Sequence, residues 1–407
     1  MLAVCWMMAS AALAVSVGDA TRAEEEFLSR HWSHPLAPQG RPPSERPAFE
    51  ASLHPASCGR CHVTQYTDWR TSLHSKSMGP GVSGQLLGMV ESDPQTAQVC
   101  WRCHAPLLEQ HDLIESSPGA TESLFVKNAH FDPDLQSEGL SCAGCHVRRH
   151  RRFGPPRLGT PHIAGEIGSE LPHNGFTAES AFEKSAFCRG CHQFEPDGYA
   201  LNGKLLENTY EEWRASRHAT EGRTCQSCHM PQRRHVWRGI HDPGMVRTGI
   251  DIDAARPRVS NGQISGELTI TNRNVGHYFP TYVTPKITVD IVQVDIDGRP
   301  IEDLAVQHIV ARGISLDLVT ETFDTRIAPD ETRRYGYGKP LHVRATQLVY
   351  RITVEPDSFY VSFYRARLED PDVGKGRSAL MRALRDAVGS AYVLYELEQP
   401  ISADSVR

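Results

Sequence analysis

Hydrophobic and polar residues are patterned in two different ways along this chain, and the change falls near Arg256. Beyond it, β-branched and aromatic residues alternate with polar ones over 264–271, 287–295, 348–354 and 360–364, separated by turn signals such as Asp297-Gly298. A period of two sends successive side chains to opposite faces, so these stretches predict half-buried strands. Roughly six or seven such strands in about a hundred residues predict an immunoglobulin-like β-sandwich over 256–368. The stretch 377–397 carries Leu380, Leu384, Val388, Ala391 and Leu394 at helical spacing. It predicts one amphipathic C-terminal helix over 376–398 that packs back on the body.

Upstream of Arg256 the apolar residues fall in short helical fragments, at 86–90, 180–187 and 209–216, broken by Gly and Pro at Pro155, Pro156, Gly159 and Pro161. This predicts a mostly α and irregular domain over 54–250. Residues 24–53 hold Pro35, Pro38, Pro42, Pro43 and Pro47 and predict an extended lead-in. Residues 2–17 form an apolar, small-residue-rich run, followed by Gly18-Asp-Ala20 and Thr21-Arg-Ala23, either of which suits cleavage. Residues 1–23 therefore predict a signal peptide, although no Lys or Arg precedes the run. An uncleaved anchor is the alternative, and the run falls short of the ~20 residues that a spanning helix needs. No later segment is long and apolar enough to cross a bilayer, so no integral span is expected in the mature chain.

Length allows two or three domains. The formal charge of −6 over 407 residues argues against a nucleic-acid partner. The local exception is Arg148 to Arg152, a basic run that fits either acidic groups held within the fold or an acidic partner.

The cysteines decide the chemistry. Five pentapeptides read C-x-x-C-H: Cys58, Cys61 and His62; Cys100, Cys103 and His104; Cys142, Cys145 and His146; Cys188, Cys191 and His192; Cys225, Cys228 and His229. Chance at this composition would supply about 0.015 such matches. The pattern attaches a c-type haem: two thiols bond the vinyl groups and the histidine ligates iron. One helical turn brings residues i and i+3 together, so both thiols can face one porphyrin edge. Structural zinc and redox disulfides also use paired cysteines, yet neither needs a histidine after every pair. The motifs use ten of the eleven cysteines, leaving only Cys5 in the apolar run. Five covalently bound haems, with their iron, are thus expected, and covalent attachment implies an oxidising, periplasmic or other extracytoplasmic compartment.

Motif starts are separated by 42, 42, 46 and 37 residues. About forty residues cannot enclose a haem in its own apolar core, so the haems are expected to pack on one another as electron hopping requires. The sixth iron ligands must come from the other fifteen of the twenty histidines. His74 and His218 stand out because each ends the repeated element Tyr-x-x-Trp-Arg-x-Ser-x-His, at Tyr66 to His74 and Tyr210 to His218. His130 and His173 lie ahead of motifs, while His235 and His241 follow the last one. Of these, His74, His218, His130, His173 and His235 are the candidate distal ligands carried forward. Histidine also bonds propionates. His277, in Asn274-Val-Gly-His277-Tyr-Phe-Pro280-Thr281, would fix the two domains together if it reached a haem.

The chain resembles the cytochrome c-554 family, within the multihaem superfamily that includes hydroxylamine oxidoreductase. The resemblance runs over about residues 54–245. It is carried by Tyr66-x-x-Trp69-x-x-Ser72-x-His74, Glu138-Gly-Leu-Ser-Cys142, Phe187-Cys188-Arg-Gly-Cys191-His192-Gln193-Phe194, and Trp213 to His218 before Cys225-Gln-Ser-Cys228-His229-Met230-Pro231. The stretch from Asn274 to Thr281 resembles a motif seen where such haem domains carry an appended β-domain. The resemblance implies a periplasmic electron carrier with haems in close parallel and perpendicular pairs, and distal ligation by the histidine of the Trp-x-x-Ser-x-His element, here His74 and His218. The chain departs from the namesake in having more haem motifs and an added β-domain. The expected function is single-electron transfer between redox protein partners, with assembly into a larger redox complex possible. The alternative is an oxidoreductase with one open-site haem acting on a small nitrogen or sulfur species.

Overall fold

The computed structural model describes residues 20–116, 124–158 and 171–401. The apolar run 2–17 lies outside them. Helix α1, Arg22–His31, begins within the expected signal segment, where Thr21 caps it: the Thr21 hydroxyl accepts from Glu24 N, and the Glu24 carboxylate accepts from Thr21 N at 2.7 Å. The reciprocal cap and a Pro-free turn override the extended lead-in expected from the prolines further on. Phe27, Leu28 and His31 are buried on this helix, and Phe27 and Leu28 pack with Phe182, Ala186 and Trp213.

The region to about 250 is a set of short helices, as the Gly and Pro punctuation predicts. Helices α2 (Pro55–Cys58), α3 (Val63–Thr71), α4 (Pro80–Ser92), α5 (Pro94–His104), α6 (Cys142–His146), α7 (Ala186–His192), α8 (Thr209–Arg214) and α9 (Cys225–His229) supply the frame. All five motifs begin on one of them. Proline in the first turn and an aspartate or glycine just before it start several of them: Asp93 accepts from Thr96 N at 3.1 Å ahead of α5, and Gly79 precedes α4. The apolar residues form three small clusters here rather than one core.

The C-terminal half is built on two four-stranded antiparallel sheets. The first holds β1 (Ile250–Ala254), β2 (Arg258–Ser260), β3 (Gln263–Asn272) and β8 (Thr332–Pro340), with β3 central. The second runs β5 (Val306–Val310), β4 (Lys286–Val294), β9 (Gln347–Glu355), β10 (Tyr392–Pro400). A two-stranded ribbon, β6 (Arg312–Ile314) and β7 (Glu321–Asp324), projects beside them. Alternate residues Ile264, Leu268 and Ile270 of β3 share one core with Ile287, Val289 and Ile291 of β4 and Leu348, Tyr350, Ile352 and Val354 of β9. The period-two pattern is thereby explained, since Ile287, Val289 and Ile291 pair across the ladder with Val354, Ile352 and Tyr350.

Two expectations change. Residues 360–364 lie in helix α10, Ser358–Glu369, rather than in a strand. The aromatic residues Phe359, Tyr360, Phe363 and Tyr364 repeat at i, i+4, and Tyr360 stacks on Tyr364 with ring centres 5.4 Å apart. The tail is a helix followed by a strand. Helix α11, Arg377–Gly389, stops at Gly389, and β10 then closes the second sheet with Leu394 in its core. Alternation in Tyr392-Val-Leu-Tyr-Glu-Leu-Glu wins over the helical spacing once glycine has ended the helix. Helix α11 packs back on the N-terminal half: a Cβ on Gly84 of α4 would meet Ala379 and Leu380 at 3.1 Å.

Candidate haem sites

Every described cysteine is free of disulfide bonds, so all ten motif thiols remain available. Among the described residues no three His, Cys, Asp or Glu side chains converge as a bare metal ion would require. The thiols instead meet between motifs. The Cys58 and Cys142 thiols lie within electrostatic reach of each other, as do those of Cys103 and Cys191 and those of Cys188 and Cys225. The first motif therefore abuts the third, the second abuts the fourth, and the fourth abuts the fifth.

Histidine rings come in pairs. Two imidazoles on opposite sides of one iron, each bonded at about 2 Å with about 1 Å more from nitrogen to ring centre, have centres about 6 Å apart. Ring centres lie 6.4 Å apart for His74 and His192, 6.2 Å for His146 and His235, and 6.4 Å for His229 and His277. In each pair one member is a motif histidine. The donor set thus fits haem iron held between two imidazoles.

The far side of four of these six rings is anchored to a backbone carbonyl. Nδ1 of His146 donates to Phe153 O (2.8 Å), that of His229 to Arg238 O (2.6 Å), that of His235 to Arg233 O (3.0 Å) and that of His277 to Tyr278 O (2.9 Å). His104 does the same to Ser77 O at 2.7 Å. A proton held on Nδ1 leaves the Nε2 lone pair for a metal. His192 differs, with the Tyr282 hydroxyl 2.6 Å from its Nδ1. Burial, reinforced by neighbouring histidines, pushes His74 down to about 3 and His146, His192 and His277 to about 4. These rings are neutral at physiological pH, the form that binds metal.

The repeated element has a structural meaning. Trp69 Nε1 donates to Leu140 O and Trp213 Nε1 to Arg223 O, both at 2.8 Å. Ser72 and Ser216 each return a hydroxyl bond to the carbonyl of their tryptophan at 2.7 Å. Leu140 N bonds His74 O at 3.1 Å, and Arg223 N bonds His218 O at 2.8 Å. Leu140 and Arg223 each stand two residues before a motif cysteine, Cys142 and Cys225. Both copies therefore clamp the chain as it enters a motif.

The two histidines that end the copies then part company. His74 joins His192, whereas His218 is buried beside Gly276 with its Nε2 lacking any partner. His130 is exposed and faces no other ring at pairing distance among the described residues. His173 lies within electrostatic reach of His62 and bonds Gly175 O through Nδ1 at 2.8 Å. His235 is paired, and His277, which the sequence marked as able to join the domains by reaching a haem, takes a pairing position. Neither His62 nor His104 faces a second histidine ring at this spacing among the described residues. Of the basic cluster, Arg148 is turned inward, donating to His31 O, Gly144 O and Val147 O, and Arg152 donates to His150 O and Glu50 O. These two arginines are spent on backbone carbonyls rather than offered as a docking patch.

The sheet half reaches the motifs through the connection from β3 to β4. Glu212 of α8 accepts from Tyr278 N (3.1 Å), the Thr281 hydroxyl (2.7 Å) and Arg326 (3.1 Å). Thr209 bonds Thr281 at 2.8 Å, and Arg326 lies over the Tyr278 ring. On the ribbon, Arg312 donates to the carbonyls of Leu201, Lys204 and Leu205 and is paired with Glu321.

Residues 57–147 match the family described as cytochrome c554 and c-prime. Among solved structures, a penta-haem cytochrome c552 from Thermochromatium tepidum has the same fold, with a TM-score of 0.53 at 18% identity, covering 87% of this chain and 100% of that one. A putative ApaA protein from Bordetella pertussis aligns with 26% of this chain and 76% of its own at 19% identity, with a TM-score of 0.15. No curated protein matches. No helix among the described residues is long and apolar enough to cross a membrane.

Proposed function

We propose that this multihaem c-type cytochrome, which resembles the cytochrome c554 family, carries five haems and passes single electrons between redox proteins outside the cytoplasm. Haem supplies the one-electron chemistry. The cysteines would tether it at ten points, the motif histidines would ligate its iron, and His74, His235 and His277 would supply second imidazoles. The carbonyls of Phe153, Arg238, Arg233 and Tyr278 hold the His146, His229, His235 and His277 rings in one tautomer. The observation that carries this reading is the set of three histidine pairs at one-iron spacing, because an iron held by two imidazoles would have no place for a substrate. The proximity of the thiols supports a connected path in which the fourth motif is the hub: its cysteines lie within electrostatic reach of Cys103 of the second motif, Cys225 of the fifth and Cys145 of the third. Export through the 1–23 segment, an immunoglobulin-like character of the sheet half and docking into a larger redox complex complete the proposal.

The rival is an oxidoreductase with an open haem acting on a small nitrogen or sulfur species, and His62 and His104 are where it would sit. Low-temperature EPR of the oxidised holoprotein, with haem quantified beside it, separates the two. Five haems per chain, low-spin and indifferent to nitrite, hydroxylamine and cyanide, support the carrier. A high-spin haem that shifts with nitrite or hydroxylamine replaces it with the enzyme.

A further inference from the structure

We propose that the sixth ligand of the iron held by His229 is His277, supplied by the sheet half of the molecule, and that His218 of the repeated element is not a ligand. The inference deepens the carrier reading and rests on haem attachment at Cys225 and Cys228.

Three observations carry it. The rings of His229 and His277 have centres 6.4 Å apart with planes within 11° of parallel, the spacing one iron requires. Both rings are turned by Nδ1 bonds to carbonyls, Arg238 O and Tyr278 O, which leaves both Nε2 atoms as donors. His218, by contrast, faces no second histidine ring at this spacing among the described residues, and its Nε2 is enclosed by protein where the backbone at Gly276 closes over the side chain: a Cβ there would meet His218 Cβ at 3.5 Å, its Cδ2 at 3.7 Å and Trp213 at 3.1 Å.

The connection that carries His277 is built to hold it. Asn272, at the end of β3, donates to His277 O at 2.9 Å and to Ile327 O at 3.0 Å, tying the connection to its own sheet. Glu212 ties the other side to α8 through Tyr278 N and Thr281. The same connection supplies Tyr282, whose hydroxyl meets Nδ1 of the motif histidine His192. One segment of the sheet half thus completes one iron and orients the ligand of a second. The sheet half becomes part of the electron path, and ligation at His277 staples the two halves together.

The test is the spin state of the purified holoprotein variants His277→Ala and His218→Ala, with haem counted in each. His277→Ala is expected to convert one haem from low-spin to high-spin, with low-spin character returning on addition of imidazole. His218→Ala is expected to keep every low-spin haem of the parent. A low-spin count unchanged in His277→Ala, or a haem turned high-spin by His218→Ala, overturns the assignment. Should His277→Ala fail to accumulate, His277→Met keeps a donor in place: a methionine–iron charge-transfer band supports the assignment, and its absence in a folded protein overturns it. Failure of the underlying reading looks different, as a parent protein with no haem attached at the fifth motif.

Discussion

Replacing Arg326 with alanine probes the joint between the two halves. The Arg326 and Glu212 side chains are 5% and 4% exposed, so the pair is inside the protein. The guanidinium donates to Glu212 (3.1 Å), to Thr281 O (2.9 Å) and to both oxygens of Asp324 (2.9 and 3.0 Å). Alanine would leave the Glu212 carboxylate buried with only Tyr278 N and the Thr281 hydroxyl, and Thr281 O without its donor. Removing one member of a buried pair costs about 3–5 kcal/mol, whereas removing both together is often neutral. Burial already pushes the Glu212 carboxyl above its usual range, against the opposing pull of its hydrogen bond to Thr281 and of Arg326. Loss of Arg326 raises it further, so Glu212 can escape part of the penalty by taking a proton. A carboxyl whose folded pKa is raised loses stability as pH rises through that value, so the defect should be larger at pH 8 than at pH 5. The assay is equilibrium denaturation of holoprotein for Arg326→Ala, Glu212→Gln and the double variant Glu212→Gln/Arg326→Met at both pH values. A loss below about 1 kcal/mol in Arg326→Ala, or one independent of pH, would mean the joint is hydrated and the argument is wrong.

Three further outcomes follow from the same geometry. Burial opposes ionisation of Asp324, but hydrogen bonds from Arg326 and Lys204 outweigh it and hold the carboxyl well below its usual range; its stabilisation is complete above about pH 4 and lost as pH falls, and Asp324→Asn should flatten the acid limb of a stability profile. Burial, reinforced by the nearby Glu212 carboxylate, pushes Glu207 well above its usual range, so its contribution to stability should be lost as pH rises from about 4.5 through that raised value, and Glu207→Gln should remove that part of the slope in thermal melts of the holoprotein. Trp69→Phe and Trp213→Phe each leave a carbonyl before a motif without its donor and should cost about 1–3 kcal/mol apiece in denaturant titration; a change within error for both would sink the clamp.

Much of the fold was legible because its signals are local. A period of two over 264–271 and 287–295 is a statement about neighbouring residues, and a strand satisfies it wherever the sheet goes. The failures came where two local signals compete. At 360–364 five residues alternate well enough for a strand, yet Phe359, Tyr360, Phe363 and Tyr364 also match a helix, and stacking at i, i+4 decides it. In the tail, Leu394 continues the helical spacing of Leu380 and Leu384 on paper, but Gly389 interrupts the helix before it is reached, and the partner that captures 392–400 is β9, forty residues upstream in sequence.

The same distinction governs the haem sites. A proximal ligand is written beside its cysteines, because both thiols and the imidazole must serve one porphyrin from one turn of chain. A distal ligand has to reach only the opposite face of the iron, and any segment that packs there can provide it. On the assignment proposed above, the repeated Tyr-x-x-Trp-Arg-x-Ser-x-His element marks how the chain enters a motif in both copies and ligation in only one, for a physical reason. What its two copies share is the clamp, from Trp69 to Leu140 and from Trp213 to Arg223, which fixes how the chain enters a motif. Where the histidine at its end points depends on what lies beyond: for His74 it is His192 of the fourth motif, and for His218 it is the backbone at Gly276. Sequence repetition thus records a common way of presenting a haem to the chain, while ligation is decided by packing between distant segments, which is why His277 could be noticed in the sequence but assigned only from the arrangement of the rings.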